Sequence, residues 1–206
     1  MILTICNEKG GTGKTTISFN LAVEFQKHTP NIVLVDADKQ QSLTQINQLR
    51  TQNKFIIKNI DDITPLQSKK DNIIIDAGGR DNIELRKALA ISDICIVVIN
   101  ISQLDIFAIE RMKFLINKAQ QVNNKIKSFF LLNKITTNKF MYKEIQEFLD
   151  VLKGFKVKTF KEMIHERVVY KRSVQDGLGV SETLIKDEKA VREIQRLFKE
   201  IFTIIQ

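Results

Sequence analysis

Five short apolar runs, at 2–6, 32–36, 72–76, 94–99 and 128–132, punctuate the chain. "IVLVD", "NIIID" and "ICIVVI" are continuous rather than alternating, as expected of strands covered on both faces. Between and after them, residues 14–28, 41–50, 82–90, 104–120 and 139–152 carry apolar positions at helical spacing. Strands alternating with helices predict right-handed crossovers and a doubly wound, mostly parallel α/β sheet with helices on both faces. Ligands of such sheets gather at the carboxyl ends of the strands. A last stripe, Val191, Ile194, Leu197, Phe198, Ile201, Phe202 and Ile205 within 190–206, predicts a helix packed on the sheet. Arg192, Arg196 and Lys199 lie on its other faces, so the alternative is a basic amphipathic helix lying on a membrane.

Composition changes this picture little. The 206 residues contain no repeat, low-complexity segment or Pro/Gly linker, so residues 1–206 are expected to form a single domain. No apolar run approaches the ~20 residues that span a bilayer. Met1 leads straight into a strand instead of a cleavable signal, so a cytoplasmic protein is expected. Cys6 and Cys95 sit within strand-like runs and form no C-x-x-C pair, which supports neither a disulfide framework nor a metal site. His28 and His165 are equally isolated. The net charge of +8 favours polyanionic partners such as nucleic acid or acidic lipid, although lysine-rich composition alone would give the same balance.

The chemistry begins at "EKGGTGKTT", residues 8–16, directly after the first strand. A phosphate-binding loop of the G-x-x-x-x-G-K-[ST] kind would open with glycine at position 8, where this chain has Glu8. The physics of a phosphate cradle nevertheless remains. Gly10, Gly11 and Gly13 let the backbone approach a ligand, Lys14 supplies charge, and Thr15 and Thr16 open a helix whose first N–H groups face an anion. Two further strands end in carboxylates, "VLVDADKQ" at Asp36 and Asp38 and "IIIDAGG" at Asp76. Such a residue beside a phosphate loop suits Mg²⁺, which takes few protein oxygens together with phosphate. An aspartate after a strand also commonly caps a helix or closes a turn, but two such sites beside one loop favour a nucleotide with Mg²⁺.

"KGGTGKTT", "VLVDADKQ" and "IIIDAGG" resemble the deviant Walker A, Walker A′ and Walker B motifs of the ParA/MinD family of ATPases. The best match is to small ParA-like DNA-partitioning proteins, and the resemblance runs from Met1 to "HERVVYKRSVQDGLGV" at 165–180. One departure is Lys39, where the family usually has proline. The resemblance implies a nucleotide held by Lys9, Gly10, Gly11, Thr12, Gly13, Lys14, Thr15 and Thr16. Lys9 would cross a dimer interface to the partner's phosphates while Lys14 serves its own, so ATP would close a homodimer. A second cation there stabilises phosphoryl transfer as an arginine finger does in trans. Thr15 would ligate Mg²⁺ directly and Asp76 through water, with Asp36 in the outer shell and Asp38 orienting the attacking water. Lys9, Lys14 and Asp38 would then be the catalytic residues.

"LLNK" at 131–134 resembles the N-K-x-D element of GTPases, but position 136 is Thr, so the carboxylate that pairs with guanine is missing. ATP is therefore expected, with Asn133 as an adenine contact by resemblance or simply as an asparagine closing a strand. In the basic segment 165–172, Arg167, Lys171 and Arg172 surround Tyr170. The corresponding region of ParA-like proteins helps bind DNA non-specifically through its backbone, while a solvated basic face is the plain alternative. The implied partners are non-specific DNA, a centromere-binding ParB-like adaptor that stimulates hydrolysis, and a second copy of the chain, with higher assemblies open. Nucleoid association follows from the same resemblance. A membrane partner belongs to the MinD-like alternative. An iron–sulfur relative would need paired bridging cysteines, which Cys6 and Cys95 within strands do not supply. A metabolic ligase would need a substrate signature, and none is recognisable.

Overall fold

The computed structural model describes residues 1–63, 71–78, 82–101, 103–138 and 142–205, with backbone alone at 103–106. The expected helix start at 139–141, Gly79 of the third motif and the terminal Gln206 lie outside the described residues.

In chain order the elements are β1 (Ile2–Cys6), α1 (Lys14–Gln26), β2 (Ile32–Ala37), α2 (Ser42–Leu49), β3 (Ile56–Lys58) and β4 (Asn72–Ala77). Then come α3 (Ile83–Ile91), β5 (Ile94–Ile99), α4 (Gln103–Val122), β6 (Lys127–Leu132), α5 (Tyr142–Lys153), β7 (Lys158–Thr159), α6 (Val168–Gln175) and α7 (Glu188–Ile205). The strands make one seven-stranded sheet in the order β3-β2-β4-β1-β5-β6-β7. Every pairing is parallel.

Alternation along each strand divides the core. Leu3, Ile5, Leu34, Ile74 and Val98 face α1 and α7, burying Phe19, Leu21, Ile194, Leu197 and Ile201 among them. Cys6, Val97, Ile99 and Leu132 face Leu85 of α3, Met112 and Ile116 of α4 and Phe148 of α5. The stripe on α7 is therefore largely packing surface, with Ala190, Ile194, Leu197, Phe198 and Ile201 buried and Phe202 and Ile205 left part-exposed at its end. No described helix is long and apolar enough to cross a membrane. Cys6 and Cys95, on neighbouring strands, are unbridged, with sulfurs 3.4 Å apart.

β1 lies mid-sheet between β4 and β5, while the chain leaves it for β2 on the far side of β4. The crevice at the carboxyl ends of β1 and β4 is thus where the connections diverge, and a ligand is expected there.

Candidate functional site

The loop after β1 is pinned from below. Buried Asn7 donates from Nδ2 to the Val98 carbonyl at 2.8 Å, and its Oδ1 accepts the Lys9 N–H at 3.2 Å. Gly11 and Gly13 have φ of 72° and 97°, a left-handed backbone that glycine adopts without strain. Gly13 is also the residue preceding α1, whose first turn carries no acidic side chain, so the positive end of its dipole is uncompensated. Lys14 is buried and rests its Nζ on the Lys9 carbonyl at 3.3 Å.

Three loop carbonyls thus have cationic or amide partners. Besides the Lys14 contact, Asn133 Nδ2 donates to Thr12 O at 2.6 Å and Lys134 Nζ to Gly11 O at 2.7 Å. Glu8, where the simple motif has glycine, forms an ion pair with Arg111 of α4. The carboxylate thereby ties the loop to the neighbouring helix.

Asp36 and Asp76 stand side by side in the register of β2 and β4. Burial is the largest cause of an Asp76 pKa pushed up to about 7. The Asp36 charge adds to the rise, and hydrogen bonds from Thr15 and Ser18 with the Lys14 charge oppose it. Its Oδ1 accepts from Ser18 Oγ at 3.2 Å, while its buried Oδ2 has no hydrogen-bond partner among the described residues. A buried carboxylate with one oxygen vacant, beside a second carboxylate and the Thr15 hydroxyl, fits a hydrated divalent cation. Among the described residues no group of three or more His, Cys, Asp or Glu could hold a metal unaided, so Mg²⁺ would come with phosphate oxygens.

The other acidic positions have partners that the sequence did not reveal. Asp36 Oδ2 accepts both the N–H and the hydroxyl of Thr44 at 2.8 Å, which fastens the first turn of α2. Asp38 accepts the Gln40 N–H at 3.0 Å, and the Gln41 N–H bonds back to the Asp38 carbonyl at 2.9 Å. That closed turn, with Gln41 at φ 51°, is the shape the chain takes with Lys39 in place of proline.

Beside them opens a cleft of about 1390 Å³, lined by Asp38 but not by Asp36 or Asp76, which lie beneath. Its lining includes Gly10, Gly11, Gly13, Lys14, Thr15, Thr16, Asp38, Asn133 and Lys134 together with 164–167, Tyr170 and Lys171. Lys9 is not among its lining residues. The C-terminal part of the lining is organised by Glu193 of α7, which is buried. Glu193 Oε1 accepts from Arg167 Nη2 at 2.7 Å and meets His165 Nδ1 at 2.9 Å, and its Oε2 accepts from the Tyr170 hydroxyl at 3.0 Å. The Glu193 hydrogen bond pushes the Arg167 guanidinium pKa up, while burial first and then the Glu193 charge push the Tyr170 hydroxyl up. Arg167 is thus committed inside the protein, with its side chain 16% exposed, whereas Lys171 and Arg172 on α6 are exposed. Of the three basic residues singled out in this segment, the structure leaves the last two facing solvent.

A model of the CobQ/CobB/MinD/ParA nucleotide binding domain matches residues 3–180. A carboxysome-distribution maintenance protein A from Halothiobacillus neapolitanus is 26% identical over 97% of this chain and 95% of its own length. Among solved structures, an aspartate-to-alanine variant of Cyanothece McdA in complex with ATP superposes with a TM-score of 0.80 at 16% identity, covering 98% of this chain and 96% of that one. A putative plasmid partition protein from Borrelia burgdorferi, bound to AMPPNP, gives 0.72 at 18% identity, covering 100% and 99%.

Proposed function

The chain belongs to the CobQ/CobB/MinD/ParA nucleotide-binding family, and from that premise we propose that it is an ATPase using ATP and Mg²⁺, of the ParA-like positioning kind. The observation carrying the reading is the loop with its carboxylate: Lys14 is buried at the start of α1, and Asp76, bonded to Ser18 one turn further on, keeps one buried oxygen without a partner among the described residues.

In this reading residues 1–206 act as one ATPase unit. Lys14 and the amides from Gly10 to Thr16 hold the phosphates, Thr15 and Asp76 hold Mg²⁺ with Asp36 behind them, and Asp38 orients water. Lys9 reaches the phosphates of a second copy, so ATP closes a homodimer. The +8 net charge and the exposed Lys171 and Arg172 support non-specific contact with a DNA backbone, and hence residence on the nucleoid. An adaptor protein bound to the cargo would stimulate hydrolysis and release, as the likeness to partition and distribution proteins supports.

The test is binding to arbitrary duplex DNA with ATP, ADP or no nucleotide across a salt series, beside anionic liposomes. ATP-dependent DNA binding that weakens steeply with salt is the expected result. Liposome binding without DNA binding would replace this reading with the MinD-like one, for which the exposed Phe202 and Ile205 are the contact points.

A further inference from the structure

We propose that Asn133 and Lys134 form a clamp that sets the phosphate-binding loop in its binding shape before nucleotide arrives, and that they are not a base-reading pair. The proposal requires only that the chain bind nucleotide and is independent of DNA or membrane.

β6 ends at Leu132, and side chains that carried its alternation onward would point to opposite faces and not reach the same loop. Here they do, because of a kink. Asn133 is anchored to the end of β5 by its N–H to the Ile99 carbonyl at 2.8 Å, and Ile135 N–H donates to Ile164 O at 3.0 Å. Lys134 between them has φ 55°, a left-handed backbone seldom taken by a lysine. The kink breaks the alternation and delivers Asn133 to Thr12 O and Lys134 to Gly11 O, two consecutive carbonyls of the loop.

Peptide geometry turns this into a preset anion site. The described peptide bonds are trans, and in a trans peptide the carbonyl of one residue and the N–H of the next point in opposite directions. Holding the carbonyls of Gly11 and Thr12 therefore fixes the N–H groups of Thr12 and Gly13 pointing away from the clamp, as an anion cradle requires. Preorganising those donors removes an ordering cost from nucleotide binding. Gly13 is bound to the same device, since a Cβ there would lie 2.3 Å from Asn133 Nδ2. Thr136, standing where a base-reading element would have its carboxylate, means the chain keeps the two residues that hold the loop without the one that reads guanine.

Both are positioning residues, and the test separates the loop from the base. Binding of ATP and of inorganic triphosphate, which has no base, is measured by calorimetry for wild type, Asn133→Ala and Lys134→Met. Each substitution should weaken both ligands by about tenfold, the worth of one buried or charged hydrogen bond. Hydrogen exchange in nucleotide-free protein should accelerate over residues 7–16 and stay unchanged in β4 and β5. Lys134→Arg should retain most affinity. Lys134→Gly should lose affinity while keeping or raising thermal stability, because glycine accepts the left-handed backbone, and this distinguishes a clamp from a folding defect. Loss confined to ATP with triphosphate unaffected would overturn the clamp and make Asn133 an adenine contact. Unchanged exchange in the loop would overturn it equally.

Discussion

The phosphate-loop region and the C-terminal segment beside it treat buried polar atoms in opposite ways. On the phosphate-loop side Asp76 Oδ2 and Thr12 Oγ1 are buried with no hydrogen-bond partner among the described residues. On the C-terminal side both oxygens of Glu193 are engaged by His165, Arg167 and Tyr170. A buried polar atom without a partner destabilises the fold unless something completes it, whereas a saturated network fixes geometry. The first region leaves atoms that a ligand could complete, and the second holds α6 against α7. The contrast also shows that a basic residue in a sequence can already be paired within the chain, as Arg167 is with Glu193.

The largest test of the contrast is Lys14→Ala, which should weaken ATP binding at least about 100-fold by calorimetry, as expected for removing a buried charge-assisted phosphate ligand. Lys9→Ala should leave monomer binding intact and abolish ATP-dependent dimerisation in sedimentation. Equal loss of binding in both variants would contradict the division of labour between the lysines.

Next in size, Glu193→Ala should destabilise the protein by roughly 3–5 kcal/mol in denaturant titration, because Arg167 is left as a part-buried charge without its main partner. ATP affinity measured well below the transition should change far less. If affinity fell and stability held, the C-terminal segment would have to be counted as ligand-binding after all.

A smaller effect concerns pH. The Asp76 pKa, raised to about 7 in the fold, means that burial penalises its ionised form. Its contribution to stability is therefore complete below the ordinary carboxylate range and lost as pH rises through about 7. Subtracting the stability profile of Asp76→Asn from that of the metal-free wild type should expose this fall between about pH 4 and 7. Mg²⁺ with ATP should release about one proton at pH 6 and bind more tightly as pH approaches 7. A difference profile flat with pH would mean that Asp76 is ordinary.

The smallest effect belongs to the exposed charges. Lys171→Ala with Arg172→Ala should lower the salt slope of DNA binding by about 1 for each phosphate left without its cation, with thermal stability nearly unchanged. Arg167→Ala should do the reverse, reducing stability more than DNA affinity.

The central strands and long helices were legible because continuous apolar runs and helical spacing leave few alternatives. Edge strands were not: β3 carries an exposed Ile56, and β7 is only Lys158–Thr159, so neither presents a buried run. α6 was hidden because its basic residues read as a charged segment although Tyr170 and Ser173 are buried in it. Order along the chain already points to Gly10, Gly11, Gly13, Lys14 and Asp38, which the structure brings to one cleft. Their long-range partners could not, because Glu193 comes to His165, and Arg111 to Glu8, only through tertiary packing. Ser18 is readable too, one helical turn beyond Lys14 and on the same face as Thr15.

The position of β1 in the sheet also governs how the chain reaches this structure. Its strand neighbours are β4, which begins at residue 72, and β5, which begins at residue 94. At synthesis rates of about 5–20 residues per second, the first strand and its phosphate loop therefore wait several seconds on the ribosome, apolar and unpaired, before a neighbour exists. Parallel pairing of this long range is slow in its own right. The segment with the most chemistry is thus completed late, and a nascent chain released before β5 is made would expose Ile2–Cys6 as a sticky edge for other chains or for a chaperone.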